Sequence, residues 1–304
     1  MKKISHSAWI KWLTCPKMYD LHYNEKLRPK KLSSSLIFGS AIDEGLNALL
    51  LKTGDPIKVF QDNFTEEQLR GAKFHKYDFD PEIFTTEQLR AIEGKSDDYR
   101  NWASLRIKGR LLIESYIENI YPKITKVYDV QKEIEGRPGV LDALVEIDGK
   151  KVLLDHKTSS RPYKKNAVHS STQLALYACA EGIEYIGFAV LVKNIEKNRV
   201  KTCKKCTAKT FTQHKTCAKI VNGERCYGQF EVTTDPEGVV QLMIERVEEN
   251  TKKIVRESME DVETAIHNNI FPRNLGACGK MYGEPCIYLD YCWNNKKNGL
   301  EKKK

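Results

Sequence analysis

Apolar residues recur along this chain with two different periods, and each period marks a different kind of element. Runs rich in branched residues at 126–134, 139–147 and 151–157 predict three strands. Asp148-Gly149-Lys150 is a turn signal between the last two, which therefore form a hairpin. A helix from about 170 to 181 and a strand from 185 to 193 follow. Helical spacing returns from about 236 to 269 and predicts one long amphipathic helix. Upstream, residues 5–24 and 40–52 read as helices. The charged stretch 55–120 has helical spacing at Phe60-Phe64 and across Trp102 to Tyr121. Thr65-Glu-Glu-Gln-Leu and Thr85-Thr-Glu-Gln-Leu are similar helix starts, with Thr as cap and Glu in the first turn. They are too short to make a repeat. The pattern is that of an α/β chain, with a helical N-terminal region leading into a sheet flanked by helices.

The hairpin carries the chemistry. Asp142 lies near the start of its first strand and Asp155 at the end of its second, so antiparallel pairing brings them together. Side chains alternate along a strand, which puts Asp155 and Lys157 on one side and His156 on the other. Two carboxylates at adjacent strand ends suit a hard divalent cation, Mg²⁺ or Mn²⁺. Lys157 can orient or deprotonate an attacking water, or stabilise developing charge on a phosphate. The His156 backbone carbonyl can complete the coordination, with its side chain structural. The plain alternative is a solvated hairpin with ordinary surface charges. Gln173 and Tyr177 weigh against it: four apart on the next helix, they share one face.

Gly139-Val-Leu-Asp142, Asp155-His-Lys157 and Gln173-x-x-x-Tyr177, in that order, resemble the PD-(D/E)xK nuclease superfamily in its RecB-like branch. Ser5-His-Ser-Ala-Trp-Ile-Lys-Trp-Leu-Thr-Cys15-Pro-Lys-Met-Tyr19 is similar to the family's opening helix. Phe38-Gly-Ser-Ala-Ile-Asp43-Glu-Gly-Leu is similar to its next helix, where the family usually carries a histidine ligand. The resemblance implies a restriction-endonuclease-like core, a central mixed sheet flanked by helices. It implies catalytic roles for Asp142, Asp155, Lys157, Gln173 and Tyr177, and a metal site of Asp43, Asp142, Asp155 and His156. Glu133, on the strand before the hairpin, is a further candidate beside the plainer reading of a strand-edge carboxylate.

Nine cysteines form the second signal. Their number is odd and the start of the chain is too charged for a secretory segment, so metal binding is expected over a disulfide framework. Cys203-Lys-Lys-Cys206, Cys217 and Cys226 make a Cys₄ set suited to structural Zn²⁺. His214 is an alternative ligand to Cys217 or Cys226. The segment around them has few large apolar groups and needs a staple to fold. Cys15 with Cys278, Cys286 and Cys292 resembles the iron-sulfur staple of AddB-type subunits and CRISPR-associated RecB-like exonucleases. There, four thiolates hold a [4Fe-4S] cluster and pin the chain ends together. Zinc at the same ligands is the rival, and Cys278-x7-Cys286 is wider than the family's usual step. Cys179, beside alanines on the Gln173 helix, reads as a buried core thiol.

Composition refines the picture. The chain has 304 residues, is 40% hydrophobic and carries a formal charge of +9. Arg199 to Phe230 holds eight basic residues and one acid, and Lys296 to Lys304 five lysines and one glutamate. The excess is therefore local, and it points to contact with a nucleic-acid backbone. No run of about 18 apolar residues predicts a membrane span. There is no phosphate-binding loop for an attached ATP motor.

The expected layout is a helical region at 1–125, a nuclease core at 126–200 and 233–304, and a zinc-ribbon-like insertion at 201–232. The expected function is metal-dependent cleavage of DNA, as an exonuclease in recombination, repair or replication. Expected partners are DNA and a recombination or replication protein, in the cytoplasm of a bacterial or phage-infected cell. The competing expectation is a nuclease fold that binds without cutting, kept open by aspartate at position 43. A redox-sensor role has no electron-transfer partner to support it.

Overall fold

The structure is a computed structural model that describes residues 3–75, 78–193, 199–207, 209–210, 216–217, 219–221, 223–234, 239–279 and 285–303. His214 lies outside these residues. Helices α1 (His6–Thr14) and α2 (Pro16–Tyr19) and a π-helical turn (Asp20–Asn24) lead to strand β1 (Leu27–Pro29). Next come α3 (Ser34–Leu51), α4 (Pro56–Asp62), α5 (Glu66–Leu69), α6 (Thr86–Ala91) and α7 (Asp97–Asn119). Strands β2 (Ile124–Glu133), β3 (Val140–Ile147) and β4 (Lys150–Ser159) form a meander, followed by α8 (Thr172–Glu181) and β5 (Tyr185–Val192). The cysteine-rich segment contributes β6 (Arg199–Cys203), β7 (Lys209–Thr210), β8 (Ile220–Val221), β9 (Glu224–Arg225) and β10 (Phe230–Thr234). The chain ends with β11 (Val240–Arg246), α9 (Glu249–His267), α10 (Leu289–Asn294) and β12 (Leu300–Lys302).

The central sheet has five strands in the order β11-β5-β4-β3-β2. Strands β2, β3 and β4 pair antiparallel, β4 and β5 parallel, and β5 and β11 antiparallel. The parallel pair requires a crossover, which α8 supplies. Alternation along the strands builds two cores. Leu144, Leu153, Ile186 and Val190 face α1, α8 and α9 through Trp9, Ala175 and Met259. Val145, Val152, Leu154 and Leu191 face α3, α4 and α7 through Phe38, Phe60 and Leu112. The sheet is thus covered on both faces, the mixed α/β architecture expected from the sequence.

Three expectations are corrected. Residues 236–269 are not one helix: β11 occupies the first part and only Glu249–His267 is helical. Val240, Leu242 and Ile244 face one core and Met243 the other, and β5 offers an open edge that β11 pairs along from Val240↔Leu191 to Arg246↔Tyr185. Cys179 is half-buried, not a core thiol. The second helix starts at Ser34, earlier than position 40, because Ser33 caps it by accepting from Ser35 N. Among the described residues no helix is long and apolar enough to cross a membrane.

The two ends of the chain meet. β1 and β12 pair antiparallel, with Leu27 opposite Lys302. Tyr288 donates its hydroxyl to Leu27 O at 3.0 Å and packs in a small core with Cys15, Met18, Leu21 and Leu300. Just before α1, Lys3 and Ile4 meet buried Glu263, which binds Arg137 at 2.7 Å, Lys3 at 3.0 Å and the Ile4 N–H at 3.1 Å.

Candidate active site

The site forms where β3 and β4 part. Their last ladder pair is Ala143↔Leu154. Beyond it the Asp142 side chain takes over as acceptor: its Oδ2 receives the His156 N–H at 2.8 Å. Asp155 and Lys157 project together, as alternation requires, and Lys157 Nζ lies 2.5 Å from Asp155 Oδ2. Asp155 is almost fully buried.

The opposite face carries an arrangement that alternation alone did not reveal. His156 turns toward α3 and α7, and its ligand atom lies within 4.8 Å of carboxylate oxygens of Asp43 and Asp142. Its Nε2 is 3.1 Å from the Tyr116 hydroxyl on α7. Its Nδ1 is buried and has no hydrogen-bond partner among the described residues. With Nε2 protonated and donating to Tyr116, Nδ1 presents a lone pair to the two carboxylates. A metal-bound imidazole is normally oriented by such a second contact. Burial holds the His156 pKa down, keeping the ring in the neutral form a ligand needs. The Asp155 carboxylate stands outside this group of three. Glu133 is exposed and outside it as well.

The electrostatics favour a cation. Asp43 is pushed up to about 8, by burial first and then by the charges of Asp142 and Asp155. Burial also raises the Asp155 carboxyl, against the pull of Lys157. Three crowded carboxylates facing one lysine carry surplus negative charge, which a divalent ion would neutralise. Burial opposes the charged form of Lys157, but Asp155 and Asp142 outweigh it and hold its pKa above the ordinary value. The neighbouring carboxylates thus favour the ammonium form.

Gln173 and Tyr177 reach the same place. The Tyr177 hydroxyl bonds to the Gln173 side chain, and its pKa is raised by burial and by Asp155 and Asp142. It also lies against Gly139: a Cβ added there would sit 2.9 Å from Tyr177 Oη. The glycine is thus explained by a close approach, and it ties the first motif to the last. Three neighbours had no sequence signal. His6 Nε2 lies 3.0 Å from Thr172 Oγ1 and is driven down to about 4 by burial and by Lys157. Tyr163, whose hydroxyl responds to Lys157 and Asp155, sits on an irregular loop. Tyr116 reads as core. None falls on a period that separates site from packing.

The cysteines fall into two places. Cys203, Cys206, Cys217 and Cys226 have sulfurs all within 4.8 Å of one another, with Cys203–Cys226 and Cys206–Cys217 each at 3.6 Å. Four thiolates at about 2.3 Å from a tetrahedral zinc stand about 3.8 Å apart, so the donor set fits one ion. Burial works against the Cys203 thiolate, but the N–H groups of Cys206 and Lys205 lower it to about 6. Cys15, Cys278, Cys286 and Cys292 gather beside the β1–β12 pair without forming such a tight group. Cys286 is raised by burial and by the charges of Cys278, Cys15 and Cys292. Arg273 Nε donates to Cys292 Sγ at 3.2 Å and Asn274 N to Cys15 Sγ at 3.4 Å.

No curated protein matches the chain. Among solved structures, "Crystal structure of SSO0001" is similar at 15% identity, over 65% of this chain and 81% of that one, with a TM-score of 0.23. The profile of the PD-(D/E)XK nuclease superfamily matches residues 3–292, a span that holds Asp43, the hairpin, the Gln173 helix and all nine cysteines. On that match the chain belongs to the PD-(D/E)XK nuclease superfamily.

Proposed function

We propose that this chain is a metal-dependent deoxyribonuclease of the RecB-like branch, acting as an exonuclease on DNA ends. The observation that carries this reading is the group of Asp43, Asp142 and His156, with its orphaned Nδ1, beside the Asp155–Lys157 pair. Asp43, Asp142 and His156 would hold Mg²⁺ or Mn²⁺, and Asp155 would join them as Lys157 swings toward substrate. When bound, the ion supplies a water of lowered pKa and neutralises charge developing on the phosphate. Lys157 stays protonated, orients the water and meets the pentavalent oxyanion. Tyr177 and Gln173 hold the substrate backbone or steady the lysine. The insert's Cys₄ set would bind structural Zn²⁺, and Cys15, Cys278, Cys286 and Cys292 a [4Fe-4S] cluster that locks the chain ends. A recombination or replication protein would be the partner.

The test is cleavage by anaerobically purified protein of end-labelled linear DNA and of closed circles, with Mn²⁺, Mg²⁺ or EDTA. Metal-dependent loss of linear DNA, absent in Asp155→Ala and Lys157→Ala, is expected. Cutting of circles would replace the exonuclease by an endonuclease. Binding with no cutting under either metal would refute the enzyme reading and leave a binding module.

A further inference from the structure

The four-cysteine insert places an aromatic ring where the backbone disfavours one. Tyr227 follows Cys226 and has φ of 47°. A bulky residue in the left-handed region is an outlier, and glycine is the residue that fits there. Such a conformation is strained and persists where the surroundings hold it. Here the backbone is held on both sides: Tyr227 N donates to Cys217 O at 3.0 Å, and Cys217 N to Gly228 O at 2.9 Å. The ring gains nothing from the core, because Tyr227 is 66% exposed. Thr207, after the other knuckle, also has positive φ, but its hydroxyl bonds back to Cys206 O at 2.8 Å. Among the described residues, the contact of the Tyr227 ring is the Arg225 guanidinium, 6.0 Å from its centre.

The ring's neighbours are basic. Lys205 Cβ lies 2.8 Å from where a Gly228 Cβ would be, one residue from Tyr227. Lys219 accepts the Cys226 N–H through its carbonyl at 2.9 Å, and Ile220 pairs with Arg225. Lys204, Lys205, Lys219 and Arg225 are exposed, with Glu224 the one acid among them. Ile220 and Val221, paired with Arg225 and Glu224, are exposed as well. An exposed ring with an arginine over it, on a knuckle that carries exposed Lys204, Lys205 and Lys219, has the makeup of a stacking platform for unpaired bases. Paired bases keep their faces inside the duplex, so the ring selects for single strands.

We propose that this knuckle binds single-stranded nucleic acid, with Tyr227 stacked on a base and Arg225, Lys205 and Lys219 on the flanking phosphates. The proposal deepens the nuclease reading and rests on it for its substrate, a DNA end with an unpaired segment.

The test uses full-length, zinc-loaded protein in Ca²⁺ buffer without Mg²⁺ or Mn²⁺. Fluorescence anisotropy would follow an oligothymidylate and a blunt duplex of equal length. Tyr227→Gly removes the ring and relieves the backbone, so its zinc content and Tm should equal or exceed those of the parent. Its single-strand affinity should fall about tenfold while duplex affinity holds, since base–aromatic stacking is worth about 1–3 kcal/mol. Tyr227→Phe should bind within about twofold of the parent. Arg225→Gln should shrink the salt slope by about 0.7. Undiminished single-strand binding by Tyr227→Gly would overturn the proposal and return the ring to a protein contact. An equal loss for single strand and duplex would overturn it too. Cleavage by the parent in Mn²⁺ is scored separately, so either reading can fail without the other.

Discussion

Replacing Asp43 by asparagine should make the metal-free protein more stable and the metal-bound protein worse. The carboxyl is pushed from 3.8 to about 8 in the folded chain, by burial and then by Asp142 and Asp155. A folded acid with a raised pKa favours folding while protonated. Its contribution is intact below the unfolded value and is lost as pH rises from about 4 to about 8. The full shift of roughly four units corresponds to roughly 6 kcal/mol at 1.36 kcal/mol per unit. Asp43 is only partly buried, so water reduces this to about 3 kcal/mol. At pH 8 and above, apo Asp43→Asn should therefore melt about 5 °C higher than the parent, with a much smaller gain at pH 5.

Metal binding should show the reverse. A proton must leave Asp43 before its oxygen can coordinate. Parent Mn²⁺ affinity should thus rise about tenfold per pH unit up to about 8, and Asp43→Asn should lose that slope along with affinity. Differential scanning fluorimetry and Mn²⁺ titration read the two effects. A variant that melts lower than the parent at pH 8, or parent binding flat between about pH 6 and 8, would refute the carboxylate crowding from which both effects follow.

Four further outcomes are expected. The imidazole of His156 should tilt the site toward Mn²⁺ over Mg²⁺, and His156→Asn should shrink the activity ratio between the two metals. Glu263→Gln should cost about 3 kcal/mol in urea unfolding at pH 7, because it leaves Arg137 buried without its counter-charge. Burial alone would raise Glu263; the Ile4 N–H, Lys3 and Arg137 outweigh it and hold its carboxyl below 4.5. Its contribution is present above that value and lost as pH falls through the lower folded value, so the parent's advantage should vanish in acid. Gly139→Val should displace Tyr177 and cut activity on DNA by about tenfold or more with little loss of Mn²⁺ affinity. Gly228→Ala puts a Cβ 2.5 Å from Cys203 Sγ, and metal analysis should find less metal bound than in the parent.

The hairpin and its acidic pair were legible because two rules coincide there. Branched runs around Asp148-Gly149-Lys150 set the register, and alternation then places Asp155 with Lys157. Tyr177 was legible because four residues make one helical turn and a bit more, so Gln173 and Tyr177 must share a face. The role of His156 was not. Alternation correctly turned it away from Asp155, but nothing local says that α3 delivers Asp43 to that side. β11 was hidden for a different reason: its alternation is short and abuts true helical spacing at Val255, Met259 and Val262, which absorbed it. Tyr227 escaped because its oddity is a backbone angle, which composition does not carry.

The departure at position 43 has a different meaning once the neighbours are counted. Taken alone, aspartate where the family usually holds histidine looks like a ligand lost. In the folded chain one imidazole still faces two carboxylates, since His156 on β4 brings the nitrogen and Asp43 on α3 an oxygen. The donor types are kept and their carriers exchanged. Tyr116 has the reason to be there that such an exchange demands, because a ring on a strand needs its own anchor to aim Nδ1 inward. A decaying site would relax toward neutral, well-packed residues, since burying unpaired charge is costly. This one keeps three carboxylates crowded together, a cost that a proton on Asp43 relieves in the metal-free chain and that a divalent cation would relieve in its place.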